Sequence, residues 1–284
     1  MHAVYEIDPY TLHYTAMLLL HRSEPGWKLI LHMFDTASSL GYQPSTLALM
    51  YVWTRGKDKN GRLPQHEAFF NTEGRFNGML SDGRNPDALT LKGVLCLRRG
   101  QGAGAALQYF DRAIAASAGE NHPYAPEPQP PATAGTGEGT DSTPVPRGLR
   151  WTYEPLCHMS RGSILAQQGR LDEAAAAFRV AALELDMPEA YLQLAKLLPE
   201  GSEHREEYLR KVAMTGNAEA CRMLASAELA KLEKLGTPKR GSETVEQMQH
   251  RVMAAEWLEI AGETRMAERV RTGQAAVAGE ASSL

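Results

Sequence analysis

Three histidines, His13, His21 and His32, fall on two neighbouring predicted helices, where a converging set would bind a transition metal. Helical metal sites place ligands at i and i+4 or add carboxylates at matching spacing; neither pattern accompanies these three, so they read as polar surface or interface side chains. Gly100-x-Gly102-x-Gly104 has the glycine density of a phosphate-cradling loop. It follows a predicted helix instead of a strand and has no lysine at the required place, so it reads as a turn between two helices. Asp58-Lys59-Asn60-Gly61 with Glu67 has calcium-loop elements, but the glycine comes too early and the remaining oxygen ligands are missing, which leaves a turn. His66-Glu67 lacks the second histidine of a zinc-protease helix, and Cys157-His158 lacks a cysteine pair. No serine stands in a glycine-flanked elbow and no cysteine has a basic partner in sequence. These patterns point to no catalysis, no metal and no cofactor.

The elements that would position such residues are helices. The chain has 284 residues, 43% hydrophobic and only 7% aromatic, a composition suited to stacked helices more than to a sheet. A formal charge of -4 gives no general attraction for a phosphate backbone, which argues against nucleic acid as the partner. Cys96, Cys157 and Cys221 are odd in number and scattered over predicted inner helices, so they read as buried thiols of a reducing compartment. No apolar run approaches the roughly 20 residues of a membrane span, and the first twenty residues fit neither a secretory signal nor a transit peptide. The expectation is a soluble, cytoplasmic protein, with mitochondria as the alternative.

A ruler runs along the chain. Phe34, Phe76 and Phe178 each precede a proline by ten positions, at Pro44, Pro86 and Pro188, so that an aromatic on a second helix is followed by the proline opening the next hairpin. The interval from Phe76 to Phe110 is 34 and that from Phe110 to Phe178 is 68, twice as long. Before Phe76 the interval from Phe34 is 42, and the excess sits at Arg55 to Arg62, where Asn60-Gly61 predicts a turn or short hairpin. Pro9 opens a first helix to about His21, and a second from Glu24-Pro25-Gly26 is expected to bury Leu29, Ile30, Met33, Phe34 and Ala37. From Gly119 to Gly148, seven prolines with clustered glycines and threonines predict a disordered insertion that replaces one repeat of chain. Gly236 to Gly241 is a second polar break. Thr244 to Ala261 is expected as a helix burying Val245, Met248, Val252, Ala255, Trp257, Leu258 and Ala261, followed by a charged capping turn over Glu263 to Val270.

The stretch from Leu156 to Leu198 carries the most specific pattern. Gly162, Leu165, Gly169, Ala174, Phe178, Ala181 and Pro188 set small residues where two helices touch and large ones where they fill the gap. Gly93, Cys96, Ala106, Phe110 and Ala113 repeat that order in the hairpin from Pro86 to Ser117. These residues resemble the tetratricopeptide repeat, and Met187-Pro188-Glu189-Ala190 and Gly216-Asn217-Ala218-Glu219-Ala220 resemble its Sel1-like variant. The resemblance implies an all-α fold, a right-handed α-solenoid of about six antiparallel hairpins. The expected divisions are degenerate hairpins over 1–118, the insertion over 119–148, repeats with a capping helix over 149–270, and a disordered tail over 271–284.

The family binds proteins through the concave surface lined by first helices, which implies a non-catalytic interaction scaffold or assembly adaptor. Carried onto this chain, its register turns Thr90, Met159, Ser163, Lys196, Arg222 and Ser226 into the groove. Met159 and Ser163 stand where the chaperone-binding subfamily needs a lysine and an asparagine, so docking of a chaperone tail is not implied. An RNA-binding protein of the pentatricopeptide type and a regulatory subunit of an enzyme complex are the alternative readings. The charge and the irregular periods oppose the first.

Overall fold

Prolines open the helices as their fixed φ requires. Pro9 starts α1 (Pro9–Leu20), Pro44 lies in the first turn of α3 (Gln43–Arg55), Pro86 starts α5 (Pro86–Arg98) and Pro188 starts α9 (Pro188–Leu197). Between them run α2 (Trp27–Ser39), α4 (Glu67–Met79), α6 (Ala103–Ser117), α7 (Glu154–Gln167) and α8 (Leu171–Arg179). After α9 come α10 (Glu203–Ala213), α11 (Ala218–Lys234), α12 (Val245–Ile260) and α13 (Thr264–Arg271). This computed structural model describes residues 7–20, 26–56, 63–64, 66–118, 147–236 and 243–273, and among them there is no strand. No helix of the described residues is long and apolar enough to cross a membrane. The expected insertion between 119 and 146, the turn at Asn60-Gly61, His21 and the tail beyond 273 lie outside the described residues.

The described chain packs as two compact units. The first takes the described residues of Met1–Glu138 with Gly148–Ile164, and the second takes Arg147 and the described residues of Leu165–Leu284. The boundary between the two units falls within α7, because residues 148–164 pack with the first unit. In that unit α1 pairs with α2, α3 with α4 and α5 with α6, and successive hairpins stack by α2 on α4 and α3 on α5. Second helix therefore meets second helix and first meets first, the arrangement of a helical-repeat solenoid. In the second unit α8 packs on α9, α9 on α10, α10 on α11, and α11 on α12, with α13 closing over α12.

The aromatic ruler marks the core. Phe34, Phe76, Phe110 and Phe178 are all buried, each such side chain contributing roughly 1.5 to 3 kcal/mol. Phe76 sits with Leu47, Met50, Phe69, Leu91 and Leu95, while Phe34 sits with Ile30 and Leu49. Gly93 on α5 has no side chain because the Phe110 ring of α6 takes that space: a Cβ there would lie 2.6 Å from Cε1. At Gly100 and Gly102 the chain turns between α5 and α6 with φ of 65° and 96°, left-handed values open to glycine at little cost. Gly100 and Gly102 thus make the inter-helix turn that the context of the run predicts, while Gly104 already lies in the first turn of α6.

Two apolar expectations fail. Leu29 on α2 and Val245, Met248 and Val252 on α12 are exposed, while Ala254, Ala255 and Leu258 face the core. Helix α12 meets α11 through small residues, and this close approach turns its larger N-terminal side chains outward. A capping box, in which the Thr244 hydroxyl accepts from the Gln247 amide at 3.2 Å and the Gln247 side chain accepts from the Thr244 amide at 3.0 Å, starts that helix. Helix α8 runs into a π-helical turn, Val180–Glu184, which no local sequence signal announces.

Candidate functional site

Helix α11 lines a cleft of about 520 Å³. Asn217 caps the helix by accepting from the Ala220 amide at 3.0 Å, and one face buries Ala220, Cys221, Leu224, Ala225 and Leu229. The adjoining face repeats at three and four residues through Arg222, Met223, Ser226, Ala227, Ala230, Lys231 and Lys234, and it forms one wall of the cleft. The other wall comes from the bend after α9 and the first turns of α10, with Glu200, Gly201, Arg205 and Glu206. Small side chains at the centre, Ser226, Ala227 and Ala230, leave the space open between charged ends.

Electrostatically, the glutamates of the cleft are engaged within the chain. Glu219 pairs with Lys196 of α9 at 2.6 Å, Glu200 with Arg205 at 3.5 Å, and Glu206 with Lys231 at 2.8 Å and Arg210 at 2.8 Å. Lys231 also reaches the buried Glu228 at 3.2 Å, whose other oxygen is 2.6 Å from His250 Nδ1 of α12. Arg222 has a longer contact to Glu263 at 3.6 Å, and Lys234 has no ion pair among the described residues. Positive charge is therefore the unspent quantity of this surface.

Three of the six sequence-derived groove residues meet here: Arg222 and Ser226 line the cleft, and Lys196 reaches its wall through Glu219. Met159 and Ser163 are half-buried on α7, and the Ser163 hydroxyl donates to the Met159 carbonyl at 2.9 Å within its own helix. Thr90 is corrected. It is fully buried, donates to the Pro86 carbonyl at 2.8 Å and accepts from Trp151 Nε1 at 3.1 Å, so it presents nothing to a groove. Residues 148–164 cover that part of α5: the Tyr153 amide donates to Asp87 Oδ1 at 2.8 Å, and Cys157 Sγ lies 3.7 Å from the Phe110 carbonyl. Burial raises the Asp87 carboxyl to about 6 despite hydrogen bonds from Tyr153 and Thr152. Sequence reading missed Arg205, Lys231 and Lys234. Continuing α11 by threes and fours from Arg222 finds the two lysines, but no periodicity links Arg205 to them.

The histidines and cysteines divide differently from their sequence reading. His13 is buried, with Nδ1 2.9 Å from Ser45 Oγ and its ring against Phe34 and Tyr42, so it is a core histidine whose pKa burial lowers, not a surface one. His32 is exposed on the rim of a smaller cleft of about 290 Å³ between α2, α3 and α4, near Lys28, Asp35 and Trp53. His66 caps α4, its Nδ1 accepting from the Phe69 amide at 3.2 Å. The three cysteines are buried and free, and burial pushes the Cys157 thiol up to about 12, away from nucleophilic use. Among the described residues no three His, Cys, Asp or Glu side chains are grouped to hold a metal.

No curated protein and no solved structure matches the chain. A family of known proteins, described as tetratricopeptide repeat, matches residues 77–121 and 153–198. The first stretch contains the α5/α6 hairpin with Gly93 against Phe110, and the second runs from the start of α7 through α9. These two stretches are similar to the tetratricopeptide-repeat family.

Proposed function

We propose that this protein is a non-catalytic adaptor that holds a partner protein in the α11 cleft. Tetratricopeptide repeats are commonly protein-interaction modules, and the observation that carries the reading to this site is charge. The cleft's glutamates each pair with a cation of the chain, whereas beside the floor of Ser226, Ala227 and Ala230 Arg222 pairs only with Glu263 at 3.6 Å and Lys234 has no ion pair among the described residues. Such a surface suits a peptide segment with acidic side chains spaced around small apolar ones. Lys196 belongs to the same site because its ion pair fixes Glu219 and ties α9 to the wall of the cleft. The Sel1-like grading of the later hairpins rests on sequence spacing alone, and a cytoplasmic location accords with the buried, unpaired cysteines.

The test uses the full chain as bait under native conditions, beside a folded Lys196→Glu/Arg222→Glu variant. Partners retained by the native chain and lost by the variant, with the variant still melting cooperatively, support the reading. Equal retention by both places recognition elsewhere. Loss of all partners on nuclease treatment favours the RNA-binding alternative.

A further inference from the structure

We infer that α1 is a self-association surface, through which two copies of the chain pair about a two-fold axis near Tyr14. Residues 9–20 contain no charged side chain. Only His13 and Ala16 of that helix are buried, both toward α2 and α3. On the opposite side Ile7, Tyr10, Tyr14, Met17 and Leu18 are between 37% and 72% exposed. At 100° per residue the four of these on α1, Tyr10, Tyr14, Met17 and Leu18, fall within about a 100° arc and form one continuous stripe, with Ile7 just before the helix. A helix apolar on both faces is normally covered on both.

A second copy fits this stripe for three reasons. First, Tyr10 and Leu18 each lie four residues from Tyr14, so antiparallel pairing about Tyr14 sets Tyr10 of one copy on Leu18 of the other, aromatic against aliphatic. Second, a two-fold contact brings each side chain near its own equivalents, and any charge near the axis would meet its like; this helix has none to repel. Third, the exposed area of the five side chains is roughly 600 Å² per copy, or about 1,200 Å² for the pair, the lower bound of stable specific interfaces. A lipid surface fits less well, because helices that lie in the membrane interface rely on lysines and arginines along the polar face and α1 has none.

The experiment measures the mass of the full chain by sedimentation across the micromolar range, with Tyr14→Glu as the disrupting variant and circular dichroism as the check on folding. A dimer is expected, with the variant weakening it by at least about tenfold. Because the three native cysteines are buried and unpaired, introduced ones report geometry directly. Under mild oxidation Tyr14→Cys should cross-link to itself, and a mixture of Tyr10→Cys and Leu18→Cys chains should cross-link to each other in preference to themselves. A native chain that stays monomeric throughout the range overturns the inference. So does a dimer unaffected by Tyr14→Glu and silent to these cross-links. If the monomeric chain instead sediments with phosphatidylcholine vesicles, and Tyr14→Glu abolishes that, the stripe is a lipid surface and the inference is equally overturned.

Discussion

Replacing Gly93 by alanine should destabilise the protein although it improves the local helix. Gly93 lies inside α5, where alanine in place of glycine is worth about 1 kcal/mol of helix propensity. The added methyl, however, would stand 2.6 Å from Phe110 Cε1 and 2.9 Å from Cδ1 and Cζ, against an ordinary carbon contact of roughly 3.5 to 4.0 Å. Phe110 is fully buried, so its ring has no open space to enter, and α5 and α6 must separate or the ring must leave its rotamer. Overpacking of this kind costs about 1 to 3 kcal/mol, and a rigid ring held on all sides puts this site in the upper part of that range, about 2 to 3 kcal/mol. The expected net loss is therefore about 1 to 2 kcal/mol, measured as a lower urea midpoint with an unchanged slope. Gly74→Ala is the control: it lies in α4, is exposed and meets nothing within 4 Å, so it should gain up to about 1 kcal/mol. Adding Phe110→Leu to Gly93→Ala should recover part of the loss, with a coupling of at least about 0.5 kcal/mol. If Gly93→Ala stabilises as Gly74→Ala does, the α5/α6 contact is not as described and the repeat register built on it fails.

Phe178→Ala removes a buried ring from the second matched stretch and should cost roughly 3 to 5 kcal/mol, seen as a large fall in melting temperature. Asp87 should make stability fall as pH rises. Its folded pKa is raised to about 6, so its contribution is complete below about pH 4 and lost as pH passes through 6. The difference between the stability curves of the native chain and Asp87→Asn should change by on the order of 2 to 3 kcal/mol between pH 4 and 7; parallel curves would show that Asp87 does not titrate there. Lys196→Glu with Arg222→Glu removes the exposed pairs to Glu219 and Glu263 and should cost up to about 1 kcal/mol per site, leaving the chain folded. Partner affinity in the same variant should fall in a salt-sensitive manner, read by titration at two ionic strengths.

Helix placement was legible because it depends on local geometry. Pro44, Pro86 and Pro188 can sit only in a first turn, Gly100, Gly102 and Gly169 supply the left-handed φ of the turns, and the buried phenylalanines recur at repeat spacing. That Gly93 and Phe110 must touch was legible too, as a small residue and a large one in matching positions. Exposure depends on contacts between distant segments and was less legible. Thr90 has a position that a regular array turns toward its groove, yet Trp151, 61 residues away, covers it with an indole N–H. Val245 and Met248 look like core and are exposed, since α12 meets α11 through alanines that bring the backbones close. The cleft shows both cases: Arg222 and Ser226 follow from helical period along one element, while Arg205 joins them only because the bend after α9 carries α10 across. Periodicity along a helix sets which side chains share a face; which face stays open is decided by the segments that fold back onto it, and their distance along the chain leaves no period to read.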